Sequence, residues 1–205
     1  MTSGSWPWVG LAITLFAYII GTIPFGVLVA KWVGAADPRT KGSGNIGSTN
    51  VLRVAGKWAA AVTLAFDAGK GAVAVWAAWW LTAEDPQRWA EFAGIAVVLG
   101  HTFPAWTRFR GGKGVATGIG ALAALAPGVA LGVLGVWSVM LAAFRYVSLA
   151  SVTAALTLPV AVLVMDRRSI QVFAVIVASA IVIRHHDNIR RLVRGAESPI
   201  GRRAE

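Results

Sequence analysis

The apolar run Gly114–Phe144, GVATGIGALAALAPGVALGVLGVWSVMLAAF, decides the architecture of this chain. It is 31 residues long. About 20 apolar residues cross a bilayer core as a helix, so a single helix of this length overshoots by half. Ala126-Pro127-Gly128 in its middle is a turn signal, because Pro and Gly both punctuate a helix. Read as a hairpin, the run supplies two spans, 114–126 and 128–144, the first arm short and lying with little tilt or starting at the interface. Outward from it, apolar stretches at 8–30, 58–81, 89–106, 147–165 and 170–183 supply five more. The first is too long for a signal-peptide core and runs into Lys31, so it reads as a retained span. The expectation is an all-α integral membrane protein with seven transmembrane helices, forming one polytopic domain over residues 1–205.

Charge parity supports the hairpin. With seven spans, fifteen of the 19 Lys and Arg fall on one face: five in 31–57, three in 108–113, Arg145, and six from Arg184 onward. The other face keeps Arg88, Arg167 and Arg168, and Lys70 lies within a span. A single helix over 114–144 would send the basic C-terminal tail to the opposite side. The positive-inside rule therefore predicts an N-terminus outside and a cytoplasmic C-terminus.

Composition agrees. Of 205 residues, 57% are hydrophobic and 14% charged, against about 25% charged in soluble domains. Mean hydropathy is +0.66. A net charge of +10 on so apolar a chain reads as basic loops, not as a nucleic-acid surface. Cysteine is absent, which excludes disulfides, thiolate catalysis and zinc-thiolate sites. Gly114-x-x-x-Gly118 and Gly128-x-x-x-Gly132 read as packing motifs, and many of the ten Trp as interface anchors.

Three polar segments on the cytoplasmic face are more than connectors. Lys41-Gly-Ser-Gly-Asn-Ile-Gly-Ser-Thr-Asn-Val-Leu-Arg53 contains a GxGxxG string, yet no buried strand precedes it, so a dinucleotide fold is rejected. Its glycines, Gly42 and Gly44 among them, would let backbone N–H groups converge on an anion. Ser43, Asn45, Ser48, Thr49 and Asn50 add neutral donors, and Arg53 adds a fork for two phosphate oxygens. The second segment, Gly100 to Gly114, ends in Gly111-Gly112-Lys113-Gly114 just before a helix, a second anion seat. Arg108 and Arg110 read as ordinary positive-inside anchors. The third, Arg184-His-His-Asp-Asn-Ile-Arg-Arg191, places His185 and Asn188 three apart, on one face if the helix continues. Ser148 and Ser151 enter the sixth span from the same side. Asp67 and Lys70 lie inside the second span at pairing distance.

Carboxylates on that face are sparse (Asp37, Asp187, Glu197, Glu205), so neither a metal nor another cofactor is expected. Without a Walker loop, ATP hydrolysis is not expected either. Phosphate seats facing a membrane suggest a phosphorylated small molecule meeting a lipid-soluble partner. Two competing classes are a transporter of a phosphorylated solute, which would want polar groups near the midplane and on both faces, and a lipid-headgroup binder, which needs only one phosphate seat.

In order and over nearly the whole chain, these three motifs resemble the bacterial acyl-phosphate:glycerol-3-phosphate acyltransferases. The resemblance implies a multi-pass enzyme of the bacterial inner membrane with its active site facing the cytoplasm. It implies transfer of a fatty acyl group from acyl phosphate to the 1-hydroxyl of glycerol 3-phosphate, giving lysophosphatidic acid and phosphate for phospholipid biosynthesis. The implied partners are those two substrates and membrane lipids. The implied functional groups fall on Ser43, Arg53, Gly111, Gly112, Lys113, His185 and Asn188. A serine at the start of the sixth span also belongs, either Ser148 or Ser151. Glu197 would be structural. Pro199 stands where the family pattern has a basic residue.

The His-x-x-x-x-Asp arrangement of another acyltransferase class is missing: Trp106, Arg190 and Arg191 stand at the Asp position, five residues after His101, His185 and His186. Acyl phosphate carries a good leaving group, so positioning and cationic stabilisation would supply much of the rate. The hydroxyl proton would go to His185 or, as we favour, to the donor's own phosphate.

Overall fold

The computed structural model describes residues 7–200, and they are mostly helical, with the two longest connections at 33–47 and 103–114. The helices are α1 Pro7–Gly21, α2 Phe25–Trp32, α3 Ser48–Leu81, α4 Pro86–Thr102, α5 Val115–Leu125, α6 Pro127–Phe144, α7 Val147–Val164, α8 Gln171–Arg184 and α9 His186–Val193. By length and composition α3, α6 and α7 can each cross a membrane. The bent pairs α1–α2, at 41°, and α8–α9, at 58°, raise the candidates to five if each pair is one crossing.

The first apolar stretch is therefore not one straight helix. Pro24 has no N–H to continue α1, and the chain turns through Thr22 and Ile23 before α2 starts. The second begins earlier than its apolar core suggests. The helix starts at Ser48, ten residues before Trp58, and its first arm carries Arg53. That arm meets the long apolar arm at Gly56, whose φ of +86° lies where side chains are strained. The long run breaks at Ala126, and Pro127 opens α6 where a missing N–H costs nothing.

Helix senses follow from close contacts. A Cβ built on Gly118 would meet Val177, and one on Gly114 would meet Ile181, so α5 and α8 are antiparallel. Gly128 faces Met165, and Trp137 bonds Ser151, so α6 and α7 are antiparallel as well. Like α1 and α4, helices α3 and α5 cross closely. There Gly71 faces Thr117 O and Gly120 faces Ala68 O, leaving no room for a side chain on either glycine. Gly132, part of an expected packing motif, has no neighbour within 4 Å. The core of Ala, Val, Leu122, Leu158 and Phe173 joins α3, α4, α5, α7 and α8. At one end these helices leave a cavity.

Candidate functional site

The cavity has a volume of about 710 Å³ and two unlike ends. One end is polar, lined by Ser43, Arg53, Lys113, Ser148, His185, Asn188 and Glu197. The other is an apolar slot between α5, α6, α7 and α8, reaching Leu122 and Leu158. Ser148 to Leu158 is ten residues of helix, so the slot runs roughly 15 Å along α7.

Asn50 organises the first motif. It is 2% exposed, its Nδ2 donates to the carbonyls of Pro38, Lys41 and Asn45, and its Oδ1 accepts from Ser43 N at 2.8 Å. The loop winds around this amide, and a side chain on Gly42 would run into it. The expected cage of backbone N–H groups does not form. Ser43 N is bonded to Asn50, Gly44 N to Lys41 O and Gly47 N to Asn45 Oδ1. Gly44 does not line the cavity, whereas Gly42 and Asn45 do. What the loop offers is the start of α3, where Gly47, Ser48 and Thr49 line the cavity, together with Ser43 and Arg53. Arg53 has no hydrogen-bond or ion-pair partner among the described residues.

The second motif is also corrected. Gly111 N donates to Thr102 O at 3.3 Å and Gly112 N to His101 O at 2.9 Å, so neither can cradle an anion. Neither lines the cavity. Their carbonyls accept from Arg184, Nη2 to Gly111 O at 2.8 Å and Nε to Gly112 O at 3.2 Å. The glycines are there for packing: a Cβ on Gly112 would overlap His101 Nε2. This pinned turn delivers Lys113 and Gly114 to the cavity at the head of α5, which no side chain caps. The first N–H groups of a helix lack intrahelical acceptors and favour negative charge.

Lys113 Nζ donates to Asn188 Oδ1 at 2.7 Å, and Asn188 Nδ2 donates to Glu197 Oε1 at 2.6 Å, which fixes the amide's orientation. Glu197 also accepts from Ser148 Oγ at 2.7 Å and Arg191 Nε at 2.7 Å. The resemblance made Glu197 structural, and it is the hub of this network. Burial would raise its pKa, but the bonds from Ser148, Asn188 and Arg191 hold it below the usual value. Burial pushes Lys113 down to about 8, with Glu197 opposing and Arg191, Arg53 and Arg184 reinforcing the shift.

Helix α8 ends at Arg184 and His185 sits at the break before α9, so the helix does not run on from His185 to Asn188 as one straight rod; the 58° bend brings both to the cavity. His185 Nδ1 lies 2.7 Å from Ile181 O. A carbonyl only accepts, so Nδ1 carries the proton and Nε2 holds a lone pair. Burial and then the Lys113 charge push its pKa down to about 4. A neutral ring with a bare nitrogen repels phosphate oxygens and suits a hydroxyl. Of the two serines, Ser148 belongs to the Glu197 network. Ser151 Oγ donates to Val147 O at 2.7 Å and accepts from Trp137 Nε1 at 3.2 Å, which fixes it in the slot wall.

Deeper in the wall, Asp67 and Lys70 do pair, at 2.8 Å and 2% exposure each, and His101 joins them. No cluster of three potential metal ligands occurs among the described residues.

Comparison with known proteins matches residues 11–195 to the family model described as glycerol-3-phosphate acyltransferase. A glycerol-3-phosphate acyltransferase of Jannaschia sp. (strain CCS1) is 46% identical over 188 residues, covering 92% of this chain and 91% of the relative. One from Dechloromonas aromatica (strain RCB) is 47% identical over 193 residues, covering 93% and 96%. The chain also resembles solved structures of PlsY (YgiH), described as an integral membrane glycerol 3-phosphate acyltransferase. Its glycerol 3-phosphate form superposes with a TM-score of 0.86 at 38% identity, covering 94% of this chain and 96% of that one. Its lysophosphatidic acid form gives 0.84 at 37%, covering 94% and 95%.

Proposed function

The chain belongs to the glycerol-3-phosphate acyltransferase family, and on that premise we propose how its cavity performs acyl transfer for phospholipid synthesis. The acceptor is glycerol 3-phosphate, the donor is acyl phosphate, and the products are 1-acyl-glycerol 3-phosphate and phosphate. One observation carries this reading. Two uncapped helix starts, α3 with Arg53 and α5 with Lys113, open on one cavity whose far end is an apolar slot. That is room for two phosphates and one chain.

Each phosphate takes a helix start and a cation, which offsets the repulsion between two dianions. His185 Nε2 accepts a hydrogen bond from the neighbouring 2-hydroxyl of glycerol 3-phosphate, which aims the 1-hydroxyl oxygen at the acyl carbonyl and leaves its proton facing the phosphate. The new C–O bond forms as the bond from that carbon to the phosphate oxygen breaks. With its pKa near 4, His185 is a poor proton acceptor, so the hydroxyl proton passes to the departing phosphate. Lys113 and α5 stabilise the charge that the phosphate gains.

The reading places the enzyme in the bacterial inner membrane as one seven-span domain, with the N-terminus outside and the site facing the cytoplasm. The transporter alternative has less support, because the cavity's polar groups gather at one end and its other end is apolar. Purified protein mixed with acyl phosphate and glycerol 3-phosphate tests the proposal. Phosphate release is expected only with both substrates; release without an acyl product, or solute uptake into vesicles without release, refutes it.

A further inference from the structure

Resting on that reading, we propose that His101 is a second catalytic histidine, donating a hydrogen bond from Nε2 to an oxygen of the acyl phosphate. The starting point is a buried group with no role in the mechanism above. An ion pair inside a membrane span is costly and needs its charges well partnered. Lys70 Nζ lies 2.8 Å from Asp67 Oδ1, donates to Ile23 O at 2.9 Å and faces His101 Nδ1 at 2.9 Å.

That last distance sets the tautomer. An ammonium only donates, so the nitrogen facing it must present a lone pair. A proton on Nδ1 would put two donors head to head. Asp67 Oδ1 is 3.5 Å from the same nitrogen, too far to outweigh the 2.9 Å contact. The neutral ring therefore carries its proton on Nε2. Nε2 has no hydrogen-bond partner among the described residues, and His101 forms part of the cavity wall with Asp67 and Gly114.

Place decides the ligand. Nε2 is the His101 atom nearest Gly112, and Thr102 beside it lies against Gly114, so Nε2 stands beside the turn that opens α5. The length of α5, through Gly118 and Leu122, lines the apolar slot. The group that follows an acyl chain out of that slot is its carbonyl and phosphate. In the transfer step the glycerol oxygen bonds to the carbonyl carbon, the electron pair of the broken C–O bond leaves with phosphate, and phosphate takes the hydroxyl proton. His101 neither gains nor loses a proton; it stabilises an oxygen on which charge grows. Lys70 is the positioning residue that keeps Nδ1 bare.

The test separates the two ring nitrogens, with the parent protein's turnover of acyl phosphate as the independent check on the donor. His101→Asn leaves an acceptor where Nδ1 faced Lys70 and removes the Nε2 donor; His101→Gln does the reverse. His101→Asn is expected to lower kcat on the order of 10² to 10³-fold with KM for glycerol 3-phosphate nearly unchanged. His101→Gln is expected to retain at least about tenfold more turnover than His101→Asn. A merely structural role predicts the opposite order, and His101→Asn matching the parent's kcat, or exceeding His101→Gln, overturns the proposal. A second measurement stands if either variant misfolds. In the unaltered protein, ¹⁵N spectra should show His101 protonated at Nε2, with that signal moving on addition of a non-hydrolysable acyl phosphonate. Protonation at Nδ1, or no response to the phosphonate, overturns it equally.

Discussion

Arg53 and Lys113 are the two cations to which the proposed mechanism gives the phosphates. Arg53→Ala and Lys113→Ala should each lower kcat/KM by orders of magnitude, since losing a buried charge-assisted contact costs about 2–5 kcal/mol. Arg108 is exposed and does not line the cavity, so Arg108→Ala should lose far less. Equal losses at Arg108 and Lys113 would mean that general positive charge suffices. Lys113 also makes a pH prediction with a definite sign. Its pKa of about 8 in the empty site means that it is charged below that pH and neutral above it. The free-enzyme parameter kcat/KM should therefore fall as pH rises through about 8, while kcat holds to higher pH because a bound phosphate dianion favours the ammonium. Lys113→Arg should remove that limb. His185→Gln should keep measurable turnover and its acid limb, since the titrating group there is the substrate's phosphate. A limb near 6.5 in the parent that vanishes in His185→Gln would instead make His185 the base.

At the scale of elements, what could be read from sequence was local, and what could not was long-range. The break at Ala126 shows as Pro-Gly in an apolar run. The break at Gly56 does not, because a lone glycine between Ala55 and Lys57 reads as tolerated, and Arg53 and Lys57 hide the helix from a hydropathy window. The residue types of both anion seats were legible, but not their geometry. Gly111 and Gly112 match an N–H cradle, yet their N–H groups close a turn against α4. Gly112→Ala should thus abolish activity by displacing His101 and the Lys113 turn, at about 1–3 kcal/mol of stability, whereas Gly132→Ala should be neutral. Tm and turnover measured together check this; an active Gly112→Ala would show that the turn yields. Glu197 was illegible because its role depends on the tail folding back, pinned by Ile200 N on Arg145 O at 2.8 Å. Glu197→Ala should free Asn188 and Ser148 together and raise KM for both substrates, an effect that Arg191→Ala should only partly reproduce.

For the whole molecule, the site itself constrains how the chain threads the bilayer. Lys113 bonds Asn188, so the number of crossings between them is even. A single crossing through α5 and α6, followed by α7 and α8, would make three and tear that bond across the membrane. Either α5 and α6 both cross, giving seven spans, or they form a re-entrant hairpin, giving five. Helix α5 has 11 residues, roughly 16 Å of rise, well short of a core of about 30 Å. Two facts favour crossing all the same. The head of α5 already lies inside the bundle against Thr102 and Ile181, so α5 starts below the surface. Gly128 packs against Met165, at the end of α7, so the α5–α6 turn reaches the depth of the α7–α8 turn. The native chain has no Cys, so single-cysteine labelling is clean. Lys41→Cys should react only with reagent reaching the cytoplasmic face, and Arg167→Cys and Gly128→Cys only from outside. Arg167 labelled from outside with Gly128 protected from both sides would select five spans, and Arg167 labelled from the cytoplasm would refute the threading altogether. The proposed mechanism is compatible with either odd count, because in both an acyl chain would enter from the lipid while both phosphates stayed on the face where the basic loops gather.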